Sequence, residues 1–315
     1  MMNYCKANLC QVLLTLFVLT SVTVAQPLAS VASVNITSES ASIGALAISR
    51  QTMTPFSQGS APQALPRVFT PTMPRTTYTK YAWKTDIVAT VFWVGELPSG
   101  ANTTPNHASS WDTAWMTNFG GFDDPNPAKR ASDFRPAAFV PRQNPFYVAL
   151  PYNDCVNCST TKKDAGKVIP WFKQLYKTPG KSVCRDRWLA IRCGDRVCYA
   201  QWSDCGPFVT DDSAYVFGDA RPANSKNNGA GIDISPSVRD YLEFKSGMKC
   251  DWRFVDNHEV PGGPWKTFGG NNQFVQEVAQ NKAAAQEATS SRLDDLRRQR
   301  DEWFKQNGNA DYTRH

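Results

Sequence analysis

From Arg187 to Phe208 the chain reads RWLAIRC, then GD, then RVCYAQWSDCGPF: two apolar and aromatic runs of strand length, joined by a Gly-Asp turn and stopped by Gly206-Pro207. Such a pair predicts a β-hairpin. Its second strand ends in Asp204 just before the Gly-Pro turn, so this carboxylate belongs on a rim. A later strand signal, GIDIS, sets Asp233 between Ile232 and Ile234, on the face opposite its apolar neighbours. Ser235 and Pro236 then suit the N-cap and first position of a helix, SPSVRDYL.

Further strand signals surround these. TDIVATVFWVGE (Thr85 to Glu96) is β-branched and aromatic, PAAFVP and NPFYVALP are short apolar runs bounded by proline, and KCDWRFVD alternates so that Cys250, Trp252 and Phe254 share a face. A Cys- and Lys-rich insertion separates Asn153 from Val183. Many short strands with one capped helix predict a mostly-β barrel with helical insertions. After VPGGPWKTFGGNN the character changes: Gln273 to Gln306 is helix-forming and charge-rich, with a broken apolar stripe, which predicts a solvated C-terminal α-helix or, as the sharper alternative, a site of protein contact.

The N-terminus carries Lys6, an apolar run from Val12 to Val22 and a small-residue site ending at Ala25, the pattern of a secretory signal peptide over residues 1–25. Residues 26–80 are rich in Ser, Thr, Ala and Pro and read as a flexible linker. The expected folded domain is 81–256, followed by a linker at 257–272 and the charged helix at 273–306. Export implies a secreted or periplasmic protein with no membrane segment once the signal is cleaved. The net charge of +6 is spread along the chain without the dense Lys/Arg clusters of a nucleic-acid binder, so no nucleic-acid partner is expected. The three His are scattered and none sits in a nucleophile context, which argues against a protease.

Of the nine cysteines, Cys5 and Cys10 fall in the signal. The remaining seven read as a disulfide framework, with Cys193 and Cys198 facing across the hairpin as the expected bridge. Zinc at Cys155-x-x-Cys158 is the competing reading, but the other cysteines lack that spacing; neither a metal nor a cofactor is expected.

Two acids at strand ends in a Trp-rich domain are the parts of a carbohydrate site: aromatic faces stack on sugar rings, and carboxylates protonate a glycosidic oxygen or stabilise developing positive charge. Asp204 and Asp233 are the candidate catalytic residues, and Trp93, Trp202 and Phe208 the candidate substrate-binding ones. The alternative is structural, Asp204 capping the turn and Asp233 bonding to backbone N–H groups.

WSDCGPF, then GIDISPSVRDYL, then GMKCDWRFV resembles the rare lipoprotein A family and the first domain of expansins, over about residues 85 to 256. The resemblance implies a six-stranded double-psi β-barrel, with VFWVGE similar to the family's opening strand and PAAFVP to VALP similar to its second strand region. It also implies a cell-wall polysaccharide or peptidoglycan as partner. The Asp of the Gly-Pro-Phe motif is associated there with lytic transglycosylase activity, which points to Asp204, and Asp233 matches the acid of expansins and related endoglucanases. Cys205 stands where the family has Arg, and the second acid of its Gly-Glu segment could be Glu96, Asp123 or Asp124. The functions implied are glycan cleavage or, alternatively, glycan binding without catalysis. A third class, an inhibitor or interaction protein, stays open.

Overall fold

A computed structural model describes residues 80–100 and 102–308. The expected signal peptide and nearly all of the expected linker lie outside the described residues.

Among the described residues eight strands form: β1 (Lys84–Val91), β2 (Tyr147–Leu150), β3 (Cys155–Asn157), β4 (Thr160–Thr161), β5 (Trp188–Cys193), β6 (Arg196–Cys205), β7 (Ile232–Ile234) and β8 (Lys249–Phe254). Six of them close into a barrel in the order β1-β7-β2-β6-β5-β8, and β3 and β4 make a separate two-stranded sheet. The barrel is mixed: β1 runs parallel to β7 and β2 to β6, while the other four contacts are antiparallel. Closure leaves no unpaired edge, so strands of only three or four residues such as β7 and β2 hold their place through neighbours on both sides.

The hairpin of β5 and β6 forms as its sequence predicts, with Cys193 opposite Arg196 and Gly194 supplying the φ of 57° that the turn needs. The core is aromatic. Trp188, Trp202 and Trp252 are fully buried, and Trp202 stacks on Phe254 with ring centroids 5.9 Å apart. Ser235 caps the helix Pro236–Leu242 by accepting a hydrogen bond from the Val238 amide at 3.3 Å.

Two strand expectations fail for local reasons. PAAFVP is a bent segment with one isolated bridge, Arg130 to Pro136; its Phe139 turns away to pack on Phe119, 5.8 Å between centroids. The first strand stops at Val91 rather than Glu96, because the chain turns at Gly95, whose φ is 85°. A Cβ at Gly95 would sit 2.9 Å from both the Met116 sulfur and the Phe122 ring, so only glycine fits that turn.

The expected Cys193 to Cys198 bridge does not form. Both thiols are free, as are those of Cys155, Cys184, Cys205 and Cys250. The register explains it: Cys198 stands opposite Ile191 and Cys193 opposite Arg196, so the two cysteines lie diagonally rather than face to face.

The tail is a single helix, Gln273–Asn307. Its root is anchored. Asn272 is buried and its side chain accepts from the Phe274 amide at 3.2 Å while donating to the Trp265 carbonyl at 2.8 Å, and Phe274 packs on Trp188. Beyond that root no residue of the helix is buried. Among the described residues no helix is long and apolar enough to cross a membrane.

Candidate active site

The barrel sets four residues in a row across four neighbouring strands. Ala149 on β2 is paired with Asp204 of β6 on one side and Asp233 of β7 on the other, and Asp233 is paired in turn with Thr90 of β1. Strands about 4.8 Å apart put the two acidic Cα atoms about 10 Å from each other, with only the methyl of Ala149 between them. A register shift in β2 and β6 makes this row: Val148 faces Trp202, yet Ala149 faces Asp204, so Ser203 is the extra residue of a bulge. Without the bulge Ala149 would face Ser203 and Asp204 would leave the row.

Asp204 and Asp233 line one groove, a cavity of about 160 Å³, together with Glu96, Thr90 and Phe208. Glu96 arrives through the Gly95 turn and is held by Asn106, whose amide donates to Glu96 Oε2 at 2.8 Å. Asp204 accepts two backbone N–H groups, from Ser110 and from Cys205, each at 2.7 Å. Asp233 accepts a hydrogen bond from the Thr90 hydroxyl.

Burial raises all three carboxyls. Asp233 is pushed up to about 7 by burial, and the negative charges of Glu96 and Asp204 add to the rise while the Thr90 hydroxyl opposes it. Asp204 rises to about 6 through burial, opposed by its two N–H donors. Glu96 is also raised by burial, against hydrogen bonds from Asn102, Asn106 and the Trp93 backbone. Asp233 thus feels the charges of both other acids, so its proton affinity depends on whether they are ionised.

Of the three acids left open by the sequence as a partner, the groove contains Glu96. Asp123 is fully buried elsewhere, ion-paired with Arg130 and accepting from the Tyr147 hydroxyl at 2.7 Å; Asp124 accepts from the Asn126 amide in its own loop. Asp123 and Asp124 serve the fold.

The aromatic candidates divide. Phe208 lines the groove, with the Lys226 ammonium 5.1 Å from its ring centre. Trp93 lies one depression away, on a surface that shares Val91 with the acid groove. Trp202 cannot stack on a ligand: it is fully buried in the core, and its indole N–H donates to the Asp204 carbonyl at 2.7 Å. It shapes the site from below by fixing the backbone that carries Asp204. Thr90, Asn106 and the Ser110 amide were invisible as site residues in the sequence, since their role depends on strand pairing and loop closure between distant segments.

Among the described residues no three His, Cys, Asp or Glu side chains gather closely enough to hold a metal ion. No model of a known protein family matches the sequence, and no similar curated protein is found.

Proposed function

We propose that this chain is an exported protein that cleaves a cell-wall glycan, with a barrel of the double-psi type as its scaffold. The observation that supports this most is the groove in which Asp204, Asp233 and Glu96 meet, all with raised proton affinities. Cleavage of a glycosidic bond needs a group that still holds a proton near neutral pH, to protonate the leaving oxygen, and a carboxylate to stabilise the oxocarbenium-like transition state.

Asp233, at about 7, suits the acid; Asp204, at about 6, is the more readily ionised of the two and suits the stabilising carboxylate. Thr90 positions Asp233, and the Ser110 and Cys205 amides position Asp204. Ala149 leaves between them the space a sugar oxygen requires. The two parallel pairs, β1 with β7 and β2 with β6, support the double-psi reading, since both need connections that cross over the barrel rather than plain hairpins.

Binding without catalysis is the weaker reading. In the sequence the missing second acid favoured it, and Glu96 lines the same groove as Asp233. The test is to incubate the purified chain with peptidoglycan and with cellulose, sediment the solid, and analyse released saccharides by mass spectrometry. The proposal expects saccharides from one of them, carrying an anhydro end if the enzyme is a lytic transglycosylase, and at least a 100-fold loss of release in Asp233→Asn. Undiminished release by Asp233→Asn and by Asp204→Asn would remove the mechanism.

A further inference from the structure

A second, larger cavity of about 330 Å³ opens beside the acid groove. The two adjoin at Ser110, which lies on the wall of the larger cavity and gives its N–H to Asp204 Oδ1 at 2.7 Å. Its other walls come from Trp111 to Thr113, from the Cys- and Lys-rich insertion, and from Arg185 and Thr210; the acid groove uses none of them.

The chemistry of these walls is one-sided. Asp112 is their carboxylate, and both its oxygens are engaged: Oδ1 by Asn118 at 2.7 Å, Oδ2 by Gln143 at 2.8 Å and by Arg185 at 3.2 Å. Asn153 Oδ1 accepts from the Trp111 indole at 2.9 Å and from the Cys155 amide at 2.9 Å. Asn157 Oδ1 is used by Ser159, and Ser182 Oγ by the Cys184 and Arg185 amides. The carboxylate and amide oxygens of Asp112, Asn153 and Asn157 are thus engaged, while donors are left over: the NH₂ groups of Asn153 and Asn157, the Ser182 hydroxyl proton and the Lys181 ammonium, which has no ion-pair partner among the described residues. Trp111 adds a partly exposed ring, held by Asn153 below and against Trp202 at 5.6 Å.

A ligand for donor-rich walls must bring acceptors, and an unpaired ammonium favours one that is negatively charged. We propose that this cavity is a subsite for a carboxylate-bearing sugar unit, with the ring against Trp111 and the carboxylate on Lys181 and the two asparagine amides, the chain continuing past Ser110 to the acids. The inference rests on the glycan reading and narrows it to an acidic glycan. A uronic acid and the lactyl group of a muramic acid both supply this chemistry.

Calorimetric titration of the purified chain tests it in two arms: tri-galacturonate against cellotriose, and N-acetylmuramic acid against N-acetylglucosamine. The expected result is roughly tenfold tighter binding of the acid in one arm, weakened by salt and abolished by Lys181→Gln, which alters an exposed side chain. The arm that responds identifies the source of the carboxylate. Equal binding of acid and neutral sugar, a preference that survives Lys181→Gln, or no binding in either arm overturns the subsite. The failures separate: acid-selective binding with no glycan cut by the wild-type chain sinks the catalytic reading alone, and cleavage without acid preference sinks the subsite alone.

Discussion

Asp233 carries a thermodynamic cost that can be measured apart from any substrate. Its carboxyl titrates at about 7 in the fold, against an ordinary value of 3.8. A carboxyl raised on folding adds stability that is complete below the unfolded value and is lost as pH climbs through the folded one. Wild-type stability should therefore fall between about pH 4 and pH 7, and Asp233→Asn, which cannot ionise and can still accept from Thr90, should escape the part of that fall that Asp233 causes. We expect the variant to match the wild type near pH 4 and to exceed it by about 1–3 kcal/mol at pH 8, read by urea denaturation. A variant less stable at pH 8 would mean that Asp233 is a structural anion after all. The two aspartates were legible in sequence because each sits beside an unambiguous local signal, Gly-Pro in one case and a Ser-Pro helix start in the other. Glu96 was not separable from Asp123 and Asp124, since all three follow the same strand and only tertiary contacts decide which enters the groove and which pairs with Arg130. Trp202 misled for a related reason: alternation said which face it took, but whether that face met solvent or core depends on barrel closure.

At the scale of elements, strand register decides the cysteine chemistry. β5 and β8 pair antiparallel with Ile191 opposite Trp252 and Arg192 opposite Asp251, and continuing by one residue puts Cys193 opposite Cys250. Directly opposed side chains lie within reach of a disulfide; diagonal ones, such as Cys193 and Cys198, are farther apart. On treatment with oxidised glutathione, peptide mapping should find Cys193 joined to Cys250; a Cys193 to Cys198 linkage would contradict the register. The sequence could not reveal this pairing, because the hairpin turn is local while the β5 and β8 contact joins strands more than fifty residues apart. The tail helix gives the opposite case, local enough to be read almost to the residue from composition alone. Its exposed length is supported by surface pairs such as Arg297 with Asp294 and Arg298 with Asp295, each worth little. Ending the chain after Gln280 should thus change barrel stability by less than about 1 kcal/mol, whereas removing the Asn272 and Phe274 anchor as well should cost about 2 kcal/mol or more, by thermal unfolding.

For the whole molecule, the barrel does what neither acid-bearing segment could do alone. β6 and β7 bring Asp204 and Asp233 to either side of one alanine, β1 contributes Thr90, and the loop beyond β1 delivers Glu96. A mostly-β architecture was readable from strand lengths and turn signals; strand order and the mixed directions were not, since they depend on pairings between distant segments. The proposed cleavage depends on the groove working as acid and carboxylate. The most direct measurement is the rate of saccharide release from sedimented wall glycan between about pH 4 and pH 9, for the wild type and Asp233→Asn. Our account predicts a wild-type profile that peaks between about 6 and about 7, with its alkaline limb set by Asp233 and no measurable release by the variant. Release that continues undiminished above pH 8, or a variant as active as the wild type, would contradict it.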